Sequence, residues 1–292
     1  MNNVVLLAGD LTLDLVLNDN QFDIRAGGSI LNTSSVLKKL GHDIDIYSRV
    51  GNDIPGQILL DYMKNNQIPI NHIVTDTQFR TSVAFCKLDA EHIPYYNFYK
   101  DSTPFLLKNI SINTNVSLFH FGSSFAYNDS SFPIIQKIIK GCKKINTPIS
   151  YDLNLRCSLP DRLRRRVLSN IRKSDFVKGA IEDYYYLFKR ESIQEIVSFL
   201  RSSGVLTGII TKGDQGLVLF NSNEIVDIGI QKKVQNVSTI GCGDAFNAGV
   251  ISAVLRQVKD KTEIKKIYQD IVQMKMIAEY AVSVVFSYLS GL

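Results

Sequence analysis

The sequence predicts a three-layer α/β/α fold with a central, mostly parallel sheet and a small β-hairpin lid. Two observations lead to this prediction. Short apolar runs alternate with longer amphipathic stretches, as in chains that wind helices around a parallel sheet. Two pairs of short strands, near 11–25 and 81–100, interrupt this alternation. With 292 residues and 45% hydrophobic content, the chain can form one large domain over 1–292.

The strands are predicted from apolar runs bounded by turn residues. The first, at 4–8, is apolar throughout, as expected for a strand buried on both faces, and Gly9 and Asp10 end it. The lid strands are predicted at 11–17 with 22–25 and at 82–88 with 95–99, and they pair into a small side sheet. The other strands of the main sheet are predicted at 43–50, 116–121, 148–152, 175–178, 207–211, 217–220 and 224–228.

The helices are predicted where apolar residues recur at helical spacing between start and stop signals. The first opens after Gly27 and Gly28 and closes at Gly41. No internal repeat or Pro/Gly-rich linker divides the chain, which favours one domain. The remaining helices are predicted at 57–66, 131–144, 161–173, 183–189, 193–202, 243–255 and about 262–289.

Charge and cysteine content exclude several classes of protein. The formal net charge of +5 suits an anionic ligand but is too small to indicate nucleic acid. The four cysteines form no C-x-x-C pair, so neither a disulfide framework nor a zinc site is expected, and the cytoplasm is the expected location. Residues 1–10 lack the basic flank of a signal peptide, and the apolar stretch 276–289 is too short to span a membrane.

The stretch from Ser238 to Phe246 predicts a turn that opens a buried helix. Gly241 and Gly243 permit backbone conformations that a β-carbon would forbid, and the first-turn amides of a helix attract an anion. Phosphate binding alone does not explain the carboxylate of Asp244. A base that takes a proton from an attacking hydroxyl, beside amides that hold a phosphoryl group, explains both features. The structural alternative is a helix N-terminus capped by Asp244.

A second glycine-containing turn precedes the first helix. Gly27 and Gly28 permit close approach by a ligand, and Asn32 on the first helical turn offers both a donor and an acceptor. The alternative for this segment is a helix cap with an exposed Asn.

Together these stretches resemble the PfkB or ribokinase-like family of ATP-dependent sugar kinases, which implies a ribokinase-like fold. Gly27-Gly28-x-x-x-Asn32 resembles the family's N-terminal motif, and Thr239-x-Gly241-x-Gly243-Asp244 resembles its C-terminal motif. A dinucleotide-binding interpretation fails because the stretch around Gly241 lacks a third glycine and does not follow the first strand. Supporting segments are Gly9-Asp10 with Asp14, Val50-Gly51-x-Asp53-x-x-Gly56, Asp152-x-Asn154-x-Arg156 and Thr211-x-Gly213-x-x-Gly216.

The segments 119–123 and 150–156 most resemble the fructokinase branch, which implies fructose or a related keto sugar as the acceptor. Related 2-keto-3-deoxygluconate kinases share the Asp-x-Asn-x-Arg segment, so this activity and that of a ribokinase are alternatives. A sugar- or nucleotide-binding homologue with weak catalysis is the alternative from another class. The resemblance also implies that the side sheet can mediate a homodimer.

The resemblance implies a role for each motif residue. Asp244 would take the proton from the sugar hydroxyl, and the amides of Gly241, Cys242 and Gly243 would form the anion hole. Mg²⁺ would accompany ATP. The sugar would be bound by Asp14, Gly27, Gly28, Asn32 and Arg156, and the nucleotide would be bordered by Thr211, Gly213 and Gly216.

The chain departs from the family pattern at four places. The Asn-x-x-Glu segment, which organises Mg²⁺ and phosphate, falls on 180–183, where Ala180 replaces Asn, so Glu182 and Asp183 are expected to serve the metal. Ser238 replaces an Asp, which weakens the expectation of a monovalent cation site. Cys242 replaces Ala, and a thiol at a helix N-terminus is expected to have a lowered pKa and to be reactive; the alternative is a small buried thiol. The chain ends after Gly291, so the adenine side is expected to close differently.

Overall fold

The computed structural model describes residues 3–18, 20–88, 94–106, 110–189, 192–230 and 239–291. Its strands are β1 (Val4–Ala8), β2 (Thr12–Asn18), β3 (Gln21–Gly27), β4 (Asp43–Gly51), β5 (Ile73–Asp76), β6 (Ser82–Leu88), β7 (Pro94–Tyr99), β8 (Val116–Gly122), β9 (Ile149–Asp152), β10 (Phe176–Ala180), β11 (Thr207–Thr211), β12 (Leu217–Asn221) and β13 (Ile225–Ile228). Its α-helices are α1 (Ser29–Lys39), α2 (Ile54–Asn65), α3 (Phe132–Lys144), α4 (Asp161–Ile171), α5 (Ile181–Phe188), α6 (Ile193–Ser202), α7 (Cys242–Arg256), α8 (Ile264–Gln269) and α9 (Ile271–Leu289).

The main sheet has helices on both faces, which confirms the predicted three-layer α/β/α fold. Alternate side chains of β1 belong to two different cores, because successive residues of a strand point to opposite faces. Val5 and Leu7 pack with α1, α2, α7, α8 and α9, whereas Leu6 and Ala8 pack with α3, α4, α5 and α6. A strand buried on both faces must be apolar throughout, and this is why the run at 4–8 predicted it.

The strand order brings the ends of distant strands together at one edge. The order is β13-β12-β11-β10-β9-β8-β1-β4-β5, and all neighbours are parallel except at the β11–β12 and β12–β13 pairs. After β1 the chain first builds β4 and β5 on one side and later returns to build β8 on the other. Ligands of parallel α/β proteins bind at the carboxyl ends of the strands, next to such a switch point. We therefore expect a binding site beyond the carboxyl ends of β1 and β8.

The lid is a separate four-stranded sheet in the order β3-β2-β6-β7. Its two hairpins, β2–β3 and β6–β7, are joined by the parallel β2–β6 pair, as the predicted side sheet requires. The register places Asp14 opposite Ala84, and Ala84 opposite Phe98. These three residues therefore share the face of the lid that is turned toward the switch point.

Apart from small shifts of element ends, the structure differs from the prediction in the following respects. The helix predicted at 262–289 is interrupted, because the carboxylate of Asp270 accepts hydrogen bonds from the amides of Val272 and Gln273 and caps a new helix, α9. Strand β5 was not predicted, since it is a short edge strand of mixed polarity. Helix α2 begins at Ile54 rather than at residue 57, because Asp53 caps it and Pro55 suits a first turn.

Across the residues that the structure describes, no helix combines the length and the apolar character that crossing a membrane would require.

Candidate active site

Two cavities meet at the first turn of α7. One, of about 290 Å³, lies between the lid sheet and the carboxyl ends of the central strands, and we call it the lid-side cavity. The other, of about 530 Å³, is walled by α9, and we call it the α9-side cavity. Gly241 and Asp244 border the lid-side cavity, whereas Cys242 and Gly243 border the α9-side cavity. The first turn of α7 is therefore the boundary between two binding spaces.

The backbone of this turn is suited to an anion. Gly241 precedes the helix in the left-handed conformation, with φ of 80°. The amide of Cys242 donates to the carbonyl of Thr239 (3.2 Å), so one of the three amides predicted for the anion hole is already engaged. Gly243 lies in the first helical turn, where amides have no preceding turn to bond. The amides of Gly241 and Gly243, together with the positive end of the helix dipole, are the donors available to an anion.

Asp244 is a buried carboxylate in the same turn. It is 8% exposed, and its Oδ2 accepts a hydrogen bond from Nδ2 of Asn32 at 2.8 Å. The pKa of Asp244 is raised to about 6, mainly by burial; the Asn32 hydrogen bond, Lys178 and Arg156 act to lower it, and Asp152 acts to raise it. A carboxylate with this pKa is mostly charged at pH 7 and can still accept a proton. The structure thus brings into contact two residues from motifs near opposite ends of the chain.

Asp14 lines the lid-side cavity, and close packing of the chain against Asp14 and Asp10 explains the two adjacent glycines. Burial, followed by the nearby charge of Asp244, raises the pKa of Asp14 to about 7. A β-carbon on Gly27 would lie 2.3 Å from the Asp14 carboxylate. At Gly28, where φ is 98°, it would lie 2.4 Å from the carbonyl oxygen of Asp10. Both glycines are therefore required by close packing inside the protein, in addition to any approach by a ligand.

The outer part of the lid-side cavity carries two cations. The guanidinium of Arg156 lies 5.7 Å from the centre of the Tyr96 ring. Lys100, at the end of β7, donates from Nζ to Oδ2 of Asp10 (2.6 Å) and to Ser124. The sequence analysis did not identify Lys100 or Ser124, because they become neighbours only when the lid folds over the main sheet. The sequence analysis noted Asp10 in the segment Gly9-Asp10 but gave it no role, although it directly follows the first strand at the carboxyl edge.

The α9-side cavity combines a glycine-containing turn with an apolar wall. Thr211, Gly213 and Gly216 line it, as predicted residues of one segment. Gly216 has φ of 103°, and a β-carbon there would lie 2.1 Å from the carbonyl oxygen of Ile228. The apolar wall of this cavity suits a flat, largely apolar ring. The sequence analysis did not assign the apolar residues to this cavity; they include Phe246, Val282, Val285, Phe286 and Leu289.

The residues predicted to serve a metal do not line either cavity. Both carboxylate oxygens of Asp183 accept backbone hydrogen bonds, from Leu155 (2.7 Å) and Ala180 (2.8 Å), and Glu182 is exposed on α5. Within the described ranges no group of three or more His, Cys, Asp or Glu side chains could hold a metal ion. This donor set does not fit direct coordination, and the assignment remains a prediction. Ser238, on which the monovalent cation depends, lies outside the described residues.

The expected lowering of the Cys242 pKa is wrong. Burial, followed by the charge of Asp244, raises the pKa of this thiol to about 11. The helix N-terminus favours a thiolate, but the loss of solvent and a neighbouring carboxylate oppose it more strongly. The structure favours the alternative of a small thiol in place of alanine.

The chain is similar to several characterised proteins. The family model for "pfkB family carbohydrate kinase" matches residues 1–266. Fructokinase-2 of Zea mays is 26% identical over 273 residues, which cover 87% of this chain and 81% of that protein. An ATP-dependent 6-phosphofructokinase of Thermoanaerobacterium thermosaccharolyticum is 26% identical over 269 residues, which cover 86% and 81% of the two chains. A fructokinase double mutant from Vibrio cholerae O395, with fructose, ADP and potassium bound, gives a TM-score of 0.82 at 22% identity, covering 96% of this chain and 90% of that one.

Proposed function

This chain belongs to the pfkB family of carbohydrate kinases and is an ATP-dependent sugar kinase; we propose that its acceptor is fructose or a related keto sugar. The observation that carries the proposal is the first turn of α7, which separates two cavities and presents Asp244 to one of them. The fructokinases among its relatives support the choice of sugar. The sugar occupies the lid-side cavity, and ATP occupies the α9-side cavity.

The residues of the chain then act in one displacement step. Asn32 and Asp14 orient the sugar so that its hydroxyl faces Asp244, which accepts the hydroxyl proton. The sugar oxygen forms a bond to the γ-phosphorus, the bond to the bridging oxygen breaks, and ADP leaves. The amides of Gly241 and Gly243 stabilise the charge on the phosphoryl oxygens during transfer. The lid excludes water, which would otherwise compete as the acceptor.

The charges of the lid-side cavity favour a neutral acceptor over a phosphorylated one. The carboxylates of Asp10, Asp14 and Asp244 all line it. The ammonium of Lys100 is already paired with Asp10. Of the two cations described in this cavity, Arg156 is therefore the one that faces Asp14 and Asp244. A phosphate dianion on the sugar would be repelled by Asp14 and Asp244 whenever these carboxyl groups are charged, and its charge would disfavour their ionisation. This favours a fructokinase over the 6-phosphofructokinase activity of one relative, whereas a monoanionic keto acid could still pair with Arg156.

The acceptor is tested by measuring ADP release from Mg-ATP with each of six compounds. The panel is fructose, fructose 6-phosphate, ribose, 2-keto-3-deoxygluconate, tagatose 6-phosphate and adenosine, each with and without potassium. We expect fructose to give the highest kcat/KM and fructose 6-phosphate to be poorer by at least 10²-fold, about 2.7 kcal/mol. A phosphorylated sugar as the best acceptor would contradict the charge argument. ATP binding without turnover would support the weakly catalytic homologue, which Ala180 favours.

We propose that Mg²⁺ is bound mainly by the phosphates of ATP and by water, as is usual for this ion. The buried carboxylate of Asp183, already bonded to two backbone amides, supports this view, because it has little freedom to become a direct ligand. A cytoplasmic location, where ATP is abundant and the four free cysteines stay reduced, is part of the same proposal.

We also propose that the outward face of the lid sheet mediates a homodimer. Phe85 contacts Phe22 and Tyr99 edge to face, with ring centres 5.5 Å apart in each pair. An exposed apolar patch of this kind usually marks an interface. Five large apolar side chains of this face are 37–68% exposed, namely Phe22, Ile24, Phe85, Tyr95 and Tyr99.

Replacing Ile24 by Lys is expected to convert the dimer into a monomer, because the charge would be buried without a partner in the interface. Sedimentation equilibrium at micromolar concentration measures the change. Met276→Lys is the matched control, since Met276 is 64% exposed on α9, away from the lid. A monomeric parent protein at these concentrations would refute the proposal.

A further inference from the structure

A buried ion pair lies directly beneath the first turn of α7. Nζ of Lys178 on β10 is 3.2 and 3.3 Å from the two carboxylate oxygens of Asp152 on β9, and the two side chains are 7% and 3% exposed. Asn247, one turn further along α7, donates to Oδ2 of Asp152 at 2.8 Å. A β-carbon on Gly243 would lie 3.0 Å from Nζ of Lys178. The ammonium group is therefore in contact with the backbone of the anion-hole turn.

Two effects oppose a cation at this position, whereas the carboxylates of Asp152, Asp183 and Asp244 attract it. The N-terminus of a helix carries a positive partial charge, which repels the ammonium of Lys178. Burial also removes water from the ammonium, and Asp152 offsets that loss only in part. Both penalties decrease when a phosphoryl group arrives at Gly243, because the ammonium and the helix terminus then attract the same anion. The arrangement is thus adapted to the liganded state.

We propose that Lys178 is a positioning residue for phosphoryl transfer: from behind Gly243, its ammonium adds positive potential at the anion hole and keeps the carboxylate of Asp244 ionised. The inference rests on the proposed kinase function. It also accounts for Ala180, which lies two residues further along β10 on the same face of the strand. Where the family pattern has a polar Asn, this chain has a methyl group, and Lys178 supplies polarity from the same strand.

The charges around Asp244 show why Lys178 matters more than the other cation. Of Lys178 and Arg156, Lys178 lowers the pKa of Asp244 more, and it opposes Asp152, which raises that pKa. Lys178 is also the more buried of the two cations, so solvent screens its charge less. The titratable and polar groups that face Asp244 are Asn32 on α1, Asp14 on β2, Asp152 on β9, Arg156 after β9, Lys178 on β10, Cys242 on α7 itself and Tyr288 on α9.

The test compares Lys178→Met with the double variant Lys178→Met/Asp152→Asn. Lys178→Met leaves a buried unpaired carboxylate, so we expect a lower melting temperature, a kcat reduced about 10–10²-fold and an acid limb of the pH–kcat profile shifted upward. The double variant removes both charges with little change of volume, so stability and the acid limb should return toward those of the parent. Its kcat should stay low, because the positive potential at the phosphoryl group is still absent.

Lys265→Met is the matched control, since Lys265 pairs with Asp175 (2.9 Å) at the opposite end of the same strand, β10. Its kcat and pH profile should equal those of the parent. Recovery of parental kcat in the double variant would show that the pair is only structural and would overturn the inference.

A second readout separates this inference from the proposed function. The titration of Asp244, followed by ¹³C NMR of labelled carboxyl groups, requires no turnover. If the parent protein phosphorylates no sugar, the proposed function fails, but an upward shift of the Asp244 pKa in Lys178→Met still supports the electrostatic role of Lys178. If the Asp244 pKa does not move while the parent turns over, the inference fails and the function stands.

Discussion

Replacing Asp244 by Asn is expected to lower kcat about 10²–10⁴-fold, the usual contribution of a positioned general base. The amide keeps the shape of the side chain but cannot accept the hydroxyl proton. In the parent enzyme kcat should fall as the pH drops below about 6, where Asp244 becomes protonated. The measurement is a coupled assay of ADP release from pH 5 to 9, with calorimetric titration of ATP to verify that nucleotide binding persists.

The fold should tolerate this change. The pKa of Asp244 is raised in the folded protein, so the stability associated with its proton is complete below the unfolded pKa near 3.8 and is lost as the pH rises through about 6. At pH 8 the charged side chain therefore destabilises the protein, and Asp244→Asn should melt at the same temperature as the parent or higher. Asp161→Asn, in the exposed first turn of α4, is the control and should keep full activity. An active Asp244→Asn enzyme would exclude this carboxylate as the base.

Replacing Gly241 by Ala is expected to reduce kcat about 10²–10³-fold, as does the loss of one donor from an anion hole. Gly241 has φ of 80°, and a β-carbon there would lie 2.3 Å from the hydroxyl oxygen and 3.0 Å from the ring carbon of Tyr288. Either the Tyr288 side chain or the turn has to shift, and an alanine at this positive φ strains the turn itself, so its amides should move away from the phosphoryl group. The measurements are kcat and the free energy of unfolding in urea.

Gly204→Ala is the matched control, because Gly204 has φ of 86° and no atom within 4 Å of the added β-carbon. In both variants, an alanine in the left-handed conformation should lower the free energy of unfolding by about 1–2 kcal/mol. Only Gly241→Ala should also have a lower kcat than the parent enzyme. Equal kcat in the two variants would mean that the position of the Gly241 amide is unimportant for transfer.

The periodicity of the sequence predicted the layers of the fold better than it predicted the ends of the elements. The apolar run of β1 and the two lid hairpins were recognised because burial on one or both faces imposes a pattern that is visible locally. Strand β5 was missed because an edge strand needs no such pattern. The break at Asp270 was missed because its neighbours on both sides favour a helix, and only the hydrogen bonds of the Asp270 carboxylate reveal the new cap.

For the candidate site, the sequence indicated several residues that the structure brings together but not how they affect each other. Gly27, Gly28, Asn32, Gly241, Gly243 and Asp244 were identified from local motifs. Lys100 and Lys178 were not, since a single lysine within a strand or just after one has no distinctive pattern. Cys242 was identified, but its pKa was predicted wrongly. The local rule for a helix N-terminus predicted a lowered pKa, whereas burial beside Asp244 raises it.

The sequence by itself determined that this chain winds a parallel sheet, carries a lid and opens a late helix with a glycine-containing turn, because each of these depends on the periodicity and turn chemistry of neighbouring residues. Only the tertiary structure decided that Asn32 bonds Asp244, that Lys178 lies behind Gly243 and that Tyr288 covers Gly241. Those relations depend on strand order and on exclusion of water. Both arise only when distant parts of the chain pack together, and they set the pKa values and the electrostatic field in which the reaction takes place.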